Sequence, residues 1–316
     1  MKAKIILTAV LGSFILFSFS GCQYLKKRVG KTEKIEYKLN ASGKTRIEID
    51  NSNGNVEVMV TNDTLNIIYV TAEKTGKVKI NEADKPIEGV DIHIDSSGSV
   101  IKIDTDYRHS SSFFGEKTRT KVNYIVKVPA KFQVYVSLTN GNINAHNLIS
   151  DSRFENENGS IYLSNCSGNI SVETVNGSIK ANVDSTKGIN AETVNGSITL
   201  GNLKFVNASI DANCTNGRVK YDNLNFSSLI AEKRNLSGTL GAGNNTIKLS
   251  TVNGSIKLDG NFISYNKKEH VNFDLKWEFD ENDDNVKIKV EDTDDKQGMK
   301  ENTKDTNRAK DSSKAK

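Results

Sequence analysis

A short phrase, a glycine-centred turn followed by a β-branched or aliphatic residue, recurs seven times between residues 140 and 256 of this chain. The string at residues 173–179 recurs unchanged at residues 192–198. A fixed period of about twenty residues is typical of repeat architectures, in which each unit stacks on the next. The turn glycines lie 16 to 21 residues apart and are Gly141, Gly159, Gly177, Gly196, Gly217, Gly238 and Gly254.

The residues around each turn glycine alternate between apolar and polar. Positions seven and five before the glycine are mostly apolar, as in Ile170 and Val172, and so are positions two and four after it, as in Ile179 and Ala181. This period of two predicts half-buried strands on both sides of the turn. Asn-Gly turns could also join antiparallel hairpins. Because the same columns recur in every unit, we instead expect seven parallel, in-register coils whose Asn-Gly corners tolerate a positive φ.

The same pattern occurs once far upstream, around Gly54. Its four inward positions match the columns of the later repeats and are Ile47, Ile49, Val56 and Val58. We therefore expect the solenoid to begin there and to be interrupted before it resumes. The predicted fold is all-β: a right-handed parallel β-solenoid, or β-helix, with longer irregular strands at its N-terminal end and a small C-terminal β cap.

The N-terminus has the features of an exported, lipid-anchored protein. Lys2 and Lys4 precede an apolar run at residues 5–19, which is short for a membrane-spanning helix and suits a signal peptide. The small residues before Cys22 resemble a bacterial lipoprotein processing site, which implies a lipid on the Cys22 thiol and a membrane as partner. If the cell has two membranes, Gln23 lacks the Asp that resembles an inner-membrane retention signal, so the outer membrane is favoured.

Composition and pattern divide the chain into six segments. Basic residues are frequent after Cys22, and the end of the chain is charged with almost no apolar residues. The segments are 1–21, a lipoprotein signal peptide; 22–34, a tether; 35–137, the N-terminal β region of the solenoid; 138–260, the regular repeats; 261–290, the cap strands; and 291–316, a disordered charged tail.

Charge and cysteine content limit the possible functions. The chain has 43 basic and 39 acidic residues, which argues against a nucleic-acid binder, whose surface carries a strong basic excess. Besides Cys22 it has only Cys166 and Cys214, which fall at different corners of the repeat, so a disulfide is possible but not expected.

The repeated unit Thr-Val-Asn-Gly-Ser-Ile, together with Val128-Pro129 and the Asn53-Gly54 pair, resembles the bacterial envelope domain family labelled "putative adhesin". The resemblance covers roughly residues 35–260. It implies a β-solenoid related to the head domains of autotransporter adhesins, and it brings no catalytic residues.

One outward column is a candidate ligand-binding face. Position four before the glycine is Glu155, Glu173 and Glu192 on three successive coils, with Arg153 beside it. Stacked like charges destabilise a sheet unless a cation relieves them, so this face could bind a cation or form one edge of a sugar-binding groove. Three solvated glutamates are the plainer interpretation. The four histidines are scattered, and we predict no cofactor, no catalytic residue and no metal site.

These features favour a lipid-anchored, non-catalytic envelope protein that acts as an adhesin-like binding or scaffold module, with a glycan or an envelope protein as partner. The first alternative is a polysaccharide-acting β-helix enzyme that uses the Glu155, Glu173 and Glu192 face. The second is a structural or regulatory envelope protein. The sequence leaves the oligomeric state open.

Overall fold

The computed structural model describes residues 28–61, 66–108, 120–183 and 185–264. The predictions for the signal peptide, Cys22, the cap strands and the charged tail lie outside these residues.

The described part is all-β, as predicted, with two short 3₁₀ helices at Ile80–Glu82 and Leu203–Phe205. None of its helices is long and apolar enough to cross a membrane. The strands are β1 (Arg28–Asn40), β2 (Arg46–Asn53), β3 (Val56–Val60), β4 (Ile67–Lys79), β5 (Val90–Asp95), β6 (Val100–Tyr107), β7 (Lys121–Val128), β8 (Gln133–Asn140), β9 (Ile143–His146), β10 (Ser152–Asn158), β11 (Ile161–Ser164), β12 (Asn169–Asn176), β13 (Ile179–Asn182), β14 (Gly188–Asn195), β15 (Ile198–Gly201), β16 (Ala208–Asn216), β17 (Val219–Asp222), β18 (Phe226–Ala231), β19 (Asn235–Leu240), β20 (Asn245–Asn253) and β21 (Ile256–Asp259).

The strands form two sheets. Sheet A has the order β1-β4-β7-β3-β9-β11-β13-β15-β21-β17, and sheet B has the order β18-β19-β16-β20-β14-β12-β10-β8-β2-β6-β5. Each regular coil contributes a longer strand to sheet B, a glycine turn and a short strand to sheet A. Neighbouring coils pair in parallel and in register, so that Ile170 lies beside Ile189 and Ile179 beside Ile198. The parallel stacking predicted from the columns is confirmed, whereas right-handed winding remains a prediction.

The core lies between the two sheets and consists of the predicted columns. Ile161, Ile179, Ile198 and Ile256 are fully buried in one column, and Phe154 fills another. The upstream coil is confirmed as well, because β2 and β3 pair in parallel with β8 and β9. Stacking a β-branched residue on its equivalent in the next coil gives each short unit the burial that it could not obtain alone.

The order of the coils in space differs from their order in the sequence. β20 pairs with β14 on one side and with β16 on the other, so the Gly254 coil lies between the Gly196 and Gly217 coils. The string Thr-Val-Asn-Gly-Ser-Ile occurs at 174–179, 193–198 and 251–256, and this arrangement places the three identical strings in adjacent coils. Coils with the same string continue the same columns of stacked side chains. This gives a physical reason why the Gly254 coil lies beside the Gly196 coil.

The expectation of seven consecutive parallel coils is wrong at Gly238. β19, which contains Gly238, runs antiparallel to β16 and to β18. Gly238 is therefore a strand residue and not a corner, and a Cβ there would lie 2.7 Å from the ring of Phe226. The inward position five before Gly238 is Lys233, which is exposed, because a charged side chain cannot occupy a column of the core.

The N-terminal region extends sheet A with antiparallel strands. β1 pairs with β4, and β4 with β7. β1 begins at Arg28, inside the segment 22–34 expected to be a tether. Two of the basic residues of that segment form ion pairs along β1, Lys31 with Glu33 at 2.9 Å and Lys34 with Glu36 at 2.8 Å.

Candidate functional site

The three glutamates predicted to stack do stack on the outer face of sheet B. Glu155 pairs in register with Glu173, and Glu173 with Glu192. The next coils continue this column with Ser137 on one side and Ser250 on the other. The carboxylate-bearing strands are therefore one strand spacing, about 4.8 Å, apart.

The three carboxylates do not share one partner. Arg153 donates a hydrogen bond from Nε to Glu155, which raises the pKa of the Arg153 guanidinium. The Nδ2 of Asn190 donates to the Oε1 of Glu192 at 3.0 Å. Glu173 and Glu192 are exposed, and Glu155 is half-buried. Among the described residues, no three His, Cys, Asp or Glu side chains are grouped so that they could hold a metal ion.

The acidic column extends further than the sequence analysis recognised. Beyond Ser137 it continues to Asp50 and then to Asp104 in β6. Partial burial, and the charge of Asp104, raise the pKa of Asp50. Asp50 has the same phase as the glutamates, four before Gly54. Asp104 could not be placed from the sequence, because β6 pairs with β2 only after a long antiparallel excursion of the chain.

A row of valines lies beside the glutamates and was also missed. Val175, Val194 and Val252 occupy the position two before the glycine in three adjacent coils, and their exposed fractions are 43%, 40% and 40%. Single exposed apolar residues are ordinary, but three in register form a stripe. The signal was present in the repeated string Thr-Val-Asn-Gly, in which the valine has an outward phase.

A ladder of asparagine amides forms the next row, at the corner itself. Each Asn donates a hydrogen bond from Nδ2 to the Oδ1 of its equivalent in the adjacent coil. The donor and acceptor pairs are Asn158 to Asn140 (3.3 Å), Asn176 to Asn158 (2.9 Å), Asn195 to Asn176 (2.8 Å), Asn253 to Asn195 (2.8 Å) and Asn216 to Asn253 (2.9 Å). These residues are exposed. Asn140 and Asn158 also donate from Nδ2 to the backbone carbonyls of Ser52 and Thr139, whereas the amides of Asn176, Asn195, Asn216 and Asn253 have a second N–H that can point to a ligand.

The corner glycines are required by close packing more than by a positive φ. A Cβ on Gly177, Gly196 or Gly254 would lie only 1.8 to 1.9 Å from the carbonyl oxygen of the turn glycine in the adjacent coil. The buried hydroxyls of Thr174, Thr193 and Thr251 donate to those same carbonyls. The asparagines with a left-handed φ lie instead at the other corner of the coil, after the short strand of sheet A, and include Asn147, Asn165 and Asn202. The expected reason for the Asn-Gly pair was thus wrong in part, although Gly141 and Gly159 do have a positive φ.

The two tyrosines with an outward phase in the regular coils, Tyr135 and Tyr162, offer little surface for stacking a sugar. The guanidinium of Arg46 lies 4.7 Å from the centre of the Tyr135 ring on the outer face of sheet B. Tyr162 lies on sheet A and is only 6% exposed, with the Lys180 ammonium 5.3 Å from its ring centre. Neither ring is therefore available to a sugar in the manner of a carbohydrate-processing groove.

A shallow depression of about 760 Å³ lies away from the glutamates, at the corner between β1 and β2. Lys44 and Lys131 are its charged residues. The Nζ of Lys44 already donates to two backbone carbonyls, those of Ser96 and Gly98. The residues that line this depression thus supply no pair of acid and base.

Residues 148–259 match the family model described as Toastrack DUF4097. The match covers five of the six regular coils, from the Gly159 coil onward, together with the antiparallel hairpin β18–β19.

Several solved structures are similar to the chain. A "putative cell adhesion protein" from Clostridium sporogenes is 14% identical, with 72% of this chain and 99% of that chain covered and a TM-score of 0.40. A "putative adhesin" from Bacteroides fragilis is 13% identical, with coverages of 76% and 99% and a TM-score of 0.23. A "putative lipid binding protein" from Parabacteroides distasonis is 13% identical, with coverages of 72% and 96% and a TM-score of 0.27. No curated protein matches the chain. The resemblance to the family labelled "putative adhesin" is confirmed.

Proposed function

We propose that this protein is a non-catalytic, lipid-anchored module of the bacterial envelope that binds a partner through the outer face of sheet B. The observation that carries the proposal is the three-row surface of the Gly177, Gly196 and Gly254 coils. Each of these coils presents a polar residue, a valine and an asparagine in the same register. We call this surface the coil face; its residues are Glu173, Val175, Asn176, Glu192, Val194, Asn195, Ser250, Val252 and Asn253.

The coil face suits an extended, repetitive partner. Its hydrogen-bonding groups recur at one strand spacing, about 4.8 Å, and they are held in place by parallel pairing and by the asparagine ladder. Rigid groups lose little conformational entropy when they bind. A glycan or an extended segment of an envelope protein can place its own polar groups at such a spacing.

The polysaccharide-acting alternative is less well supported by the site. Hydrolysis of a glycosidic bond needs two carboxyl groups that flank the bond and differ in protonation. Glu173 and Glu192 stand side by side on a flat, exposed surface, and Glu155 is occupied by Arg153. No aromatic ring of the described residues lies free on this face to hold a sugar.

Anchoring through Cys22 is part of the proposal. Five residues separate Cys22 from Arg28, where β1 begins, and this segment contains Lys26 and Lys27. At about 3.5 Å per residue such a segment would keep β1 within roughly 20 Å of the lipid. Metabolic labelling with a fatty acid, comparing the wild type with Cys22→Ser, tests the anchor directly.

Partner binding is tested with two variants on opposite faces. Val194→Lys places a charge in the centre of the coil face without removing a buried group, whereas Thr199→Lys does the same on the outer face of sheet A. Purified full-length protein is applied to glycan arrays and used to capture envelope proteins after cross-linking in the native membrane. We expect a partner that binds the wild type and Thr199→Lys and is lost in Val194→Lys. A partner that binds all three equally would place the binding surface elsewhere, and absence of any partner would refute the proposal.

A further inference from the structure

The two sheets end unequally at the Gly217 end of the solenoid. Sheet A ends with β17, whereas sheet B continues beyond β16 with the two antiparallel strands β19 and β18. In the described part of the chain, β18 and β19 therefore have no strand of sheet A opposite them. The outer backbone edge of β18 also has no pairing strand there.

Apolar side chains are exposed around this edge. Ile230 is 70% exposed, Tyr221 41% and Leu229 36%. Phe226 packs edge-on against Tyr221, with ring centres 5.5 Å apart, and Phe226 and Leu229 lie over Gly238 on the inner side of the hairpin. An exposed strand edge flanked by apolar side chains is a template for pairing with another strand.

The opposite end of the solenoid is chemically different. β1 carries ion-paired lysines and glutamates along its length, and β5 alternates Asp91, His93 and Asp95. Charged side chains on edge strands oppose pairing with another molecule. β18, with the sequence Phe-Ser-Ser-Leu-Ile-Ala, carries no charge. The apolar β18 end therefore does not complement the charged β1 and β5 end. Between two copies of β18, by contrast, there is no charge repulsion.

We propose that β18 is a self-association edge, at which two copies of this chain pair antiparallel about a two-fold axis. Such pairing would satisfy the outer backbone groups of both β18 strands and continue sheet B from one molecule into the other. The contact is isologous and closes after two copies, whereas stacking of one end on the other would produce open filaments. β1 and β18 lie at opposite ends of the stack, so under the anchoring proposed above, the contact would join two molecules by the ends away from their lipids.

Cross-linking of full-length protein in the native membrane tests the contact. Ser228→Cys places a thiol on exposed β18, and Ser250→Cys places one on the exposed outer face of sheet B within the stack; Cys166 and Cys214 are both buried. A short bismaleimide is expected to give a covalent dimer with Ser228→Cys and none with Ser250→Cys. Equal yields from both variants, or no dimer from Ser228→Cys, would overturn the inference.

A second substitution separates self-association from partner binding. Ile230→Lys in the Ser228→Cys background should abolish the cross-linked dimer, because each copy would bring a charged side chain into the apolar contact, while Val175→Lys should leave it unchanged. Circular dichroism confirms that each variant is folded; Ile230 is too exposed to contribute to the core. If partner binding fails while the dimer persists, only the proposed function is refuted; a dimer insensitive to Ile230→Lys refutes only the edge.

Discussion

Gly196 packs directly on Gly177, so closely that a Cβ on residue 196 would lie 1.8 Å from the carbonyl oxygen of Gly177. Gly177 stands in the same relation to Gly159, and Gly254 to Gly196. This contact is repeated along the stack and sets how closely the corners approach. A methyl group at any of these positions would force two coils apart.

Gly196→Ala should therefore destabilise the protein by at least about 3 kcal/mol, the upper range for overpacking, because the clashing atom is backbone and cannot move away. The backbone of Gly196 does not have a left-handed φ, so the effect isolates close packing. Gly98→Ala is the control, since nothing lies within 4 Å of a Cβ there. Chemical denaturation measures both; equal stabilities would contradict the packing argument.

The threonine hydroxyls below the corner should each contribute a measurable hydrogen bond. Thr193 is 4% exposed, and its Oγ1 donates to the carbonyl oxygen of Gly177 at 2.9 Å. Thr193→Val keeps the shape and leaves that carbonyl without this donor, which costs about 1 to 2 kcal/mol. Thr199→Val, at a half-buried outward position, should change the free energy of unfolding by less than about 0.5 kcal/mol. A ranking in the opposite order would show that the hydroxyl does not support the turn.

Most of the fold could be predicted from the sequence, because the inward columns are a direct record of burial. Ile47 and Val56 identified the upstream coil across a long insertion. The position of the Gly254 coil could not be predicted. A periodic pattern shows which residues can stack in a column, but it does not show with which existing coil a later coil will pair. The Gly238 error was avoidable, since Lys233 in an inward column contradicted the assignment.

The candidate site was predicted only in part. The register of Glu155, Glu173 and Glu192 follows from the repeat and was correct. The valine row lies in the same string, but single exposed apolar residues are ordinary, so an outward phase alone does not predict a stripe. Asp50 has the same phase, four before Gly54, whereas Asp104 joins the column through a strand pairing that no local pattern records.

The stacked glutamates should oppose folding through mutual repulsion. Glu173→Lys converts two like-charged contacts into attractive ones, and we expect it to stabilise the protein by about 0.5 kcal/mol at low salt. Raising the ionic strength to about 1 M should remove most of the gain, because the Debye length falls to about 3 Å. Glu88→Lys, at an exposed position outside the column, is the control. An equal gain there would indicate an effect of net charge alone.

The same column should not bind Ca²⁺ in the manner of a protein calcium site, which needs six to eight oxygen ligands around one ion. Titration calorimetry with Ca²⁺ should give no heat with either the wild type or Glu173→Gln. Heat that disappears in Glu173→Gln would restore the cation hypothesis.

Glu57 should make the stability of the protein depend on pH. Its side chain is 19% exposed, 3.7 Å from the Nε2 of His146, and burial raises its pKa above the ordinary 4.5, although the charge of Lys127 lowers it. A carboxyl group with a raised folded pKa holds its proton more tightly in the folded state, so its favourable contribution is complete below the unfolded pKa and is lost as the pH rises through the folded pKa. Glu57→Gln resembles the protonated form and should be more stable than the wild type at pH 8, and no more stable at pH 3. Thermal unfolding at the two pH values measures the difference, with the exposed Glu88→Gln as control; a Glu57→Gln variant that is less stable at pH 8 would mean that its ion pairs outweigh its burial.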